Sequence, residues 1–190
     1  VLKGAVERSF NRITVDGDQS TNDSVLMLAN GASGVVLEEG SESWAGFVAA
    51  VESLCFELAM MIVHDGEGAD RFVTVLVEGA ESDAAADAAA RAVANSLLNK
   101  TAWAGTFPDW GRIMDAIGYS AARVDETLVR IWYGETLAVE GGVQAATAME
   151  TLVEAVSERE LLIRIGLGLG SGEAVVYTCN CTEEYVRINF

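Results

Sequence analysis

One proline, one histidine and three cysteines occur in 190 residues. Each scarcity excludes something. A single histidine, His64, gives no convincing Ser-His-Asp set, and with no Cys or His cluster around it a structural zinc site is not expected. Cys55, Cys179 and Cys181 are an odd number. On a strand the last two point to the same face at a spacing that suits no ordinary disulfide, so all three read as buried free thiols of a reducing compartment. Positive charge is also sparse: 12 Lys and Arg stand against 29 Asp and Glu, for a formal net charge of −17. That balance repels nucleic acid phosphates and anionic membranes, so neither is an expected partner. No signal-peptide pattern opens the chain. The longest apolar stretch, near 44–63, is interrupted by Glu52 and Glu57 and does not read as a membrane span. The opening Val1 points to a processed chain or a fragment.

Hydrophobic residues make up 51% of the chain, enough for a globular core. VLKGAVERS reads as a helix end. FNRITV alternates and is β-branched, so it predicts a strand, and VLMLANG predicts a second strand with an Asn-Gly turn. SESWAGFVAAVESLCFELAMMIVHDGEG is the strongest helix pattern. Its apolar stripe runs through Trp44, Val48, Val51, Cys55, Leu58 and Ile62, with Ser41 or Ser43 as cap and Gly66 and Gly68 at its end. RFVTVLVEG predicts a strand, and Ser82 caps an alanine-rich helix over DAAADAAARAVANSLLNK. TFPDWGRIMDAIGY reads as a loop entering a short helix, and LVRIWYGETLAVEG as a hairpin. TAMETLVEAVSE predicts a further amphipathic helix, and LLIRIGLGLG and EAVVYTCNC predict two strands around Ser171-Gly172. Strands and long helices interleave without a repeat or a linker, which gives a single layered α/β or α+β domain over 1–190.

Four short motifs invite functional readings, and each has a plainer one. DGDQSTND has the composition of a calcium loop, but counting from Asp16 the required Gly and Glu positions hold Thr21 and Met27. A polar turn explains it better. GLGLGSG lacks the following helix and the Gly-Lys-Ser/Thr of nucleotide loops, so close strand packing is the better reading. In HDGEG, Glu67 sits uncrowded between glycines and could bind a substrate ammonium, although a solvated helix-end turn is the plainer reading. In PDWGR, Trp110 can anchor packing and Arg112 can grip a carboxylate, with structural duty the plainer reading for both.

The order of the blocks is more specific than any one of them. SFNRITVDGDQSTNDSVLMLANG (9–31), HDGEGADRFVTVLVEGAES (64–82), ANSLLNKTA (94–102), PDWGRIMDAIGY (108–119) and YTCNCTEEYVRIN (177–189) together resemble the ornithine acetyltransferase / glutamate N-acetyltransferase family of arginine biosynthesis. The resemblance covers essentially the whole chain. It implies an α+β layered, αββα-like sandwich resembling Ntn hydrolases, of which this chain is the β-chain portion. It implies self-cleavage of a precursor before a threonine, which then carries acetyl from N-acetylornithine to glutamate. By that resemblance the nucleophilic threonine lies upstream of Val1, so residues 1–190 hold no catalytic nucleophile and are expected to be inactive alone. Substrate-binding positions fall on Glu67 and Asn189, while a terminal threonine contact lies beyond Phe190. The expected partner is the α chain of the same precursor, in αβ pairs that assemble as a heterotetramer. No metal or redox cofactor is implied, and acetyl-CoA serves some members as co-substrate. The compartment is the cytoplasm, or an organellar stroma or matrix.

Phe107, Asp109, Asn180 and Cys181 depart from the family pattern, which reads DPNWGR and TCDLT where this chain has FPDWGR and TCNCT. No residue-level catalytic role attaches to Asp16, Asp18, Asn22 or Asp23, whose short side chains suit turn backbone groups in a segment joining two core strands. Two other readings compete: an aminopeptidase or amidase of the same fold, and a noncatalytic interaction module.

Overall fold

A computed structural model describes residues 1–190. Its helices are α1 (Leu2–Glu7), α2 (Glu42–His64), α3 (Asp83–Asn95), α4 (Leu97–Ala102), α5 (Trp110–Tyr119), α6 (Met149–Ala155) and α7 (Glu183–Asn189). Its strands are β1 (Phe72–Ala80), β2 (Arg130–Tyr133), β3 (Thr136–Glu140), β4 (Val143–Gln144), β5 (Glu160–Gly166) and β6 (Gly172–Cys179). They form one mixed sheet in the order β4-β3-β2-β5-β1-β6. Only β1 and β5 run parallel, with Val75 opposite Ile163, while β6 lies antiparallel to β1 with Phe72 opposite Cys179. The result is an α+β layered fold.

Alternation along β1 sends Val73, Val75 and Val77 to one face, where they are buried with Leu161, Ile163, Ile165, Ala174 and Val176. α3 covers this face over β1 and β6. Ser82 Oγ accepts from the Ala85 amide and starts the helix, which is the expected N-cap. Ala86, Ala89, Ala90 and Ala94 are wholly buried, and such short side chains let helix and sheet approach closely. Where β1 leaves its regular register, Gly79 adopts φ 74°. A Cβ there would meet the Gly168 amide nitrogen at 2.9 Å. The Leu-Gly alternation at 166–170 thus serves close backbone approach, as its sequence indicates.

Several expectations fail, and each failure is long-range. FNRITV is not a strand. Phe10–Arg12 is a 3-10 turn, and Ile13 makes a single bridge to Tyr177. VLMLANG carries no regular element, and Leu26 and Leu28 are 82% and 94% exposed. A strand needs a partner edge, and these residues find none here. The polar stretch 15–24 therefore does not join two strands. In α2 the stripe holds through Cys55 and then follows Ala59 and Val63, leaving Leu58 and Ile62 exposed. α2 is long and apolar enough to cross a membrane by length and composition alone. In this structure it packs on α1 and on the end of β6, with Phe56 edge-on to Tyr177. The final helix, α7, has no counterpart in the apolar periodicity of the sequence.

Candidate functional site

The HDGEG turn follows directly from the end of α2. His64 is the last residue of that helix, and its ring lies 4.2 Å from that of Phe72. Beneath the turn sits a small apolar cluster of Val63, Phe72 and Cys179, with Ile13, Val15, Met60, Ala69 and Tyr177 against it. Gly68 has φ 67°, and a Cβ there would lie 2.7 Å from Glu184 Cβ. Only glycine meets both demands, so this residue lets α7 lie directly on the turn.

That approach brings the two expected substrate residues together. Asn189 Nδ2 donates to Glu67 Oε2, although the two are 122 positions apart in sequence. Both side chains are exposed. Asn189 also donates to the Tyr185 carbonyl, one helical turn earlier. A carboxylate and an amide side by side offer acceptors to an ammonium and a donor or acceptor to a polar substrate end. An open trough of about 720 Å³, lined by Phe10, Leu58, Met61, Ile62, His64 and Asp65, reaches the turn from the α2 side.

The return leg of the turn is held by Asn180. This buried side chain accepts from the amides of Asp70 and Arg71 at 3.1 and 3.2 Å, and its Nδ2 donates to Asp70 Oδ1 at 2.6 Å. An amide can do both jobs, whereas a carboxylate could not donate to Asp70. The departure at Asn180 is thus matched by its surroundings. Cys181 lies beyond β6, and its amide donates to the Lys100 carbonyl. All three cysteines are free thiols, Cys55 and Cys179 buried as expected but Cys181 only half-buried, and burial pushes the Cys179 thiol up.

Lys100 lies under the same segment. It is 2% exposed, and its ammonium donates to Thr178 Oγ1 at 2.7 Å and to the Cys179 carbonyl at 2.6 Å. Burial moves it below its ordinary value of 10.5, while Cys179, Cys181 and Asp16 act in the opposite sense. The opening polar stretch also reaches the site. Asp16 Oδ1 accepts from the Asp18 amide, and Oδ2 accepts from the Tyr185 hydroxyl at 3.0 Å. Ser20 Oγ receives the amides of Asn22 and Asp23. Turn support therefore accounts for Asp16 and Ser20, and Asp16 has a second role toward α7. Arg112 pairs with Asp109 at 2.6 Å and donates to the Leu98 carbonyl, while Trp110 packs on the core. Both serve the scaffold.

The ArgJ family pattern matches residues 1–190. The chain belongs to the ArgJ family. It is 47% identical over 191 residues to the arginine biosynthesis bifunctional protein ArgJ of Geobacter sulfurreducens, covering all of this chain and 49% of that protein. It is 43% identical over 197 residues to the glutamate N-acetyltransferase of Methanocaldococcus jannaschii, covering all of this chain and 48% of that one. The chain therefore spans about half the length of the curated relatives it matches. The crystal structure of the arginine biosynthesis bifunctional protein ArgJ from Bacillus halodurans superposes with a TM-score of 0.93 at 36% identity, over 99% of this chain and 89% of that one.

Within this ArgJ-family chain, periodicity did not reveal α7 or its contacts through Thr182 and Tyr185. A local signal was present: Thr182 followed by Glu183 and Glu184 is a cap with an acidic first turn. Thr182 Oγ1 accepts the Glu184 amide at 3.2 Å. No local signal could show which loops the helix would meet.

Proposed function

We propose that these residues form the substrate-recognition part of a glutamate N-acetyltransferase, in which acetyl moves from N-acetylornithine to glutamate through an acetyl-threonine intermediate. The observation that supports this most is the pairing of Glu67 with Asn189 on an exposed turn. Glu67 receives the substrate ammonium and Asn189 orients its polar end, so that the acyl group meets a nucleophile supplied from outside residues 1–190. Attack on the N-acetyl carbonyl releases ornithine and leaves acetyl on the threonine oxygen. The glutamate amine then takes the acetyl group, and the threonine is regenerated.

The partner in this reading is the α chain of the same precursor. The sheet face away from α3 supports it, because Thr74, Leu76, Trp132, Leu162 and Val175 are only half-buried there. On that face Arg164 stacks over Trp132 at 4.3 Å while its Nε has no hydrogen-bond partner. A complete protein of this kind works as αβ pairs in the cytoplasm, and residues 1–190 alone are inactive.

The test uses the complete reading frame incubated with N-acetylornithine. Mass spectrometry should find an acetylated threonine peptide, and adding glutamate should discharge it. A folded, cleaved protein that never forms the adduct would sink the proposal. Acetate release that does not need glutamate would instead favour an amidase of the same fold.

A further inference from the structure

The position of Asn189 is not fixed by burial. No residue of α7 is buried, and Val186 and Ile188 are 62% and 50% exposed. A seven-residue helix with so little apolar contact has no strong reason to stay in one place. It stays through polar contacts on one side. Thr182, Tyr185 and Asn189 are spaced three and four apart, which puts them along one edge of the helix. Each reaches a different backbone segment or side chain. The Thr182 hydroxyl donates to the Gly68 carbonyl at 2.7 Å, next to Glu67, while it caps α7. The Tyr185 hydroxyl donates to Asp16 Oδ2, and Asp16 is itself oriented by the Asp18 amide at 2.9 Å. Asn189 then meets Glu67.

We propose that α7 is a clasp: Thr182 on the Gly68 carbonyl and Tyr185 on the Asp16 carboxylate set Asn189 against Glu67, which makes Thr182, Tyr185 and Asp16 positioning residues for the amino-acid substrate. This rests on the substrate role given to Glu67 and Asn189 above. It also gives the 15–24 stretch a function, because its first acid anchors the helix that completes the site. Geometry explains the residue types. A tyrosine spans from the helix edge to a carboxylate on another loop, and threonine serves cap and turn with one hydroxyl.

The experiment uses the complete protein and, first, three changes on α7 and its cap that leave the core untouched. Tyr185→Phe deletes one hydroxyl, Thr182→Val replaces the hydroxyl with a methyl group, and Thr182→Ser keeps it. Two readouts are taken, hydrogen exchange of the α7 amides and steady-state kinetics. Tyr185→Phe and Thr182→Val should each speed exchange across α7 and raise KM for the amino-acid substrate roughly three- to tenfold, with kcat changed less than about twofold. Thr182→Ser should restore both values. Because Asp16 also holds the Asp18 amide, Asp16→Ala combined with Tyr185→Phe should be no worse than Asp16→Ala alone, as for two ends of one bond. Unchanged α7 exchange in both variants overturns the clasp. So does an equal fall in melting temperature and activity that Thr182→Ser does not reverse. Glu67→Ala, run in parallel, isolates the substrate reading. If KM does not respond to it while α7 exchange responds to the clasp variants, the substrate role fails and the clasp stands as a structural device.

Discussion

The two faces of the sheet are finished to different degrees. On one, Val73, Val75, Val77, Ile163, Ile165 and Val176 are at most 2% exposed beneath α3 and its neighbours. On the other, Thr74, Leu76, Leu162, Arg164 and Trp132 are half-buried, and only the β6 end is covered, by α2. The candidate site stands at that covered end, over Phe72 and Cys179. Stability and chemistry are thus divided. One face holds the fold together from within the chain, and the other is left half-open beside the candidate site. Glu67 and Asn189 are exposed and polar, so they contribute little to the core.

This division sets the scale of each substitution. The largest effect is expected on the closed face. Ile163 is wholly buried in the core cluster, so Ile163→Ala should cost about 2–5 kcal/mol of unfolding free energy. Chemical denaturation of the complete protein checks it, and a loss below ~1 kcal/mol would show that this face is not the stabilising one.

Glu67→Ala should invert that pattern. If Glu67 receives an ammonium as proposed, losing that charge-assisted contact should lower kcat/KM on the order of 10- to 100-fold, while the melting temperature moves by less than about 2 °C, because an exposed side chain away from the core contributes little. Parallel losses of stability and activity would instead make Glu67 a structural turn residue.

Lys100, buried against the end of β6, should show itself through pH. Its charged form is disfavoured in the fold, so the unfolded chain binds the extra proton between the lowered value and 10.5. Stability linked to Lys100 therefore rises with pH through that window and levels off above 10.5. Burial of Cys179 and Tyr133 raises both of their values. These groups act oppositely at alkaline pH, because the unfolded chain loses those protons first. Comparing wild type with Lys100→Met isolates the lysine: wild type should gain on the variant as pH rises toward 10.5. A constant difference would remove the burial argument.

The smallest effect is expected at the surface. Arg123 pairs with Glu81 at 2.9 Å, and both side chains are well exposed. Arg123→Ala should cost about 0–1 kcal/mol and leave turnover unchanged. A larger loss, measured by thermal unfolding, would mean that this edge is covered in the complete protein.

Sequence reading served the closed face well because its signals are local. Alternation placed β1, the Ser82 cap placed the start of α3, although the helix expected as far as Lys100 breaks at Ser96, which caps α4, and the β2–β3 hairpin showed its Gly134 turn. It did less well near the site. FNRITV and VLMLANG carry strand-like composition without a partner edge in these residues. α2 turns its second half from Leu58 and Ile62 to Ala59 and Val63 because the small apolar cluster under the HDGEG turn lies on that side. Glu67 and Asn189 stand out only through family resemblance, since neither has a local signal strong enough to displace the plainer reading.

By itself the sequence determined the main helices, the strands of the closed face and, through the order of its motif blocks, membership of the ArgJ family. Propensity, capping and alternation act over a few residues, and all of these are written there. The tertiary structure alone decided that Asn189 meets Glu67 and that Tyr185 meets Asp16. It also decided that Asn180 closes the turn between them. Those contacts join segments 110 to 169 positions apart, and no local preference specifies a hydrogen bond at that range. They form because β6 runs antiparallel to β1, which returns the end of the chain to the turn where β1 begins.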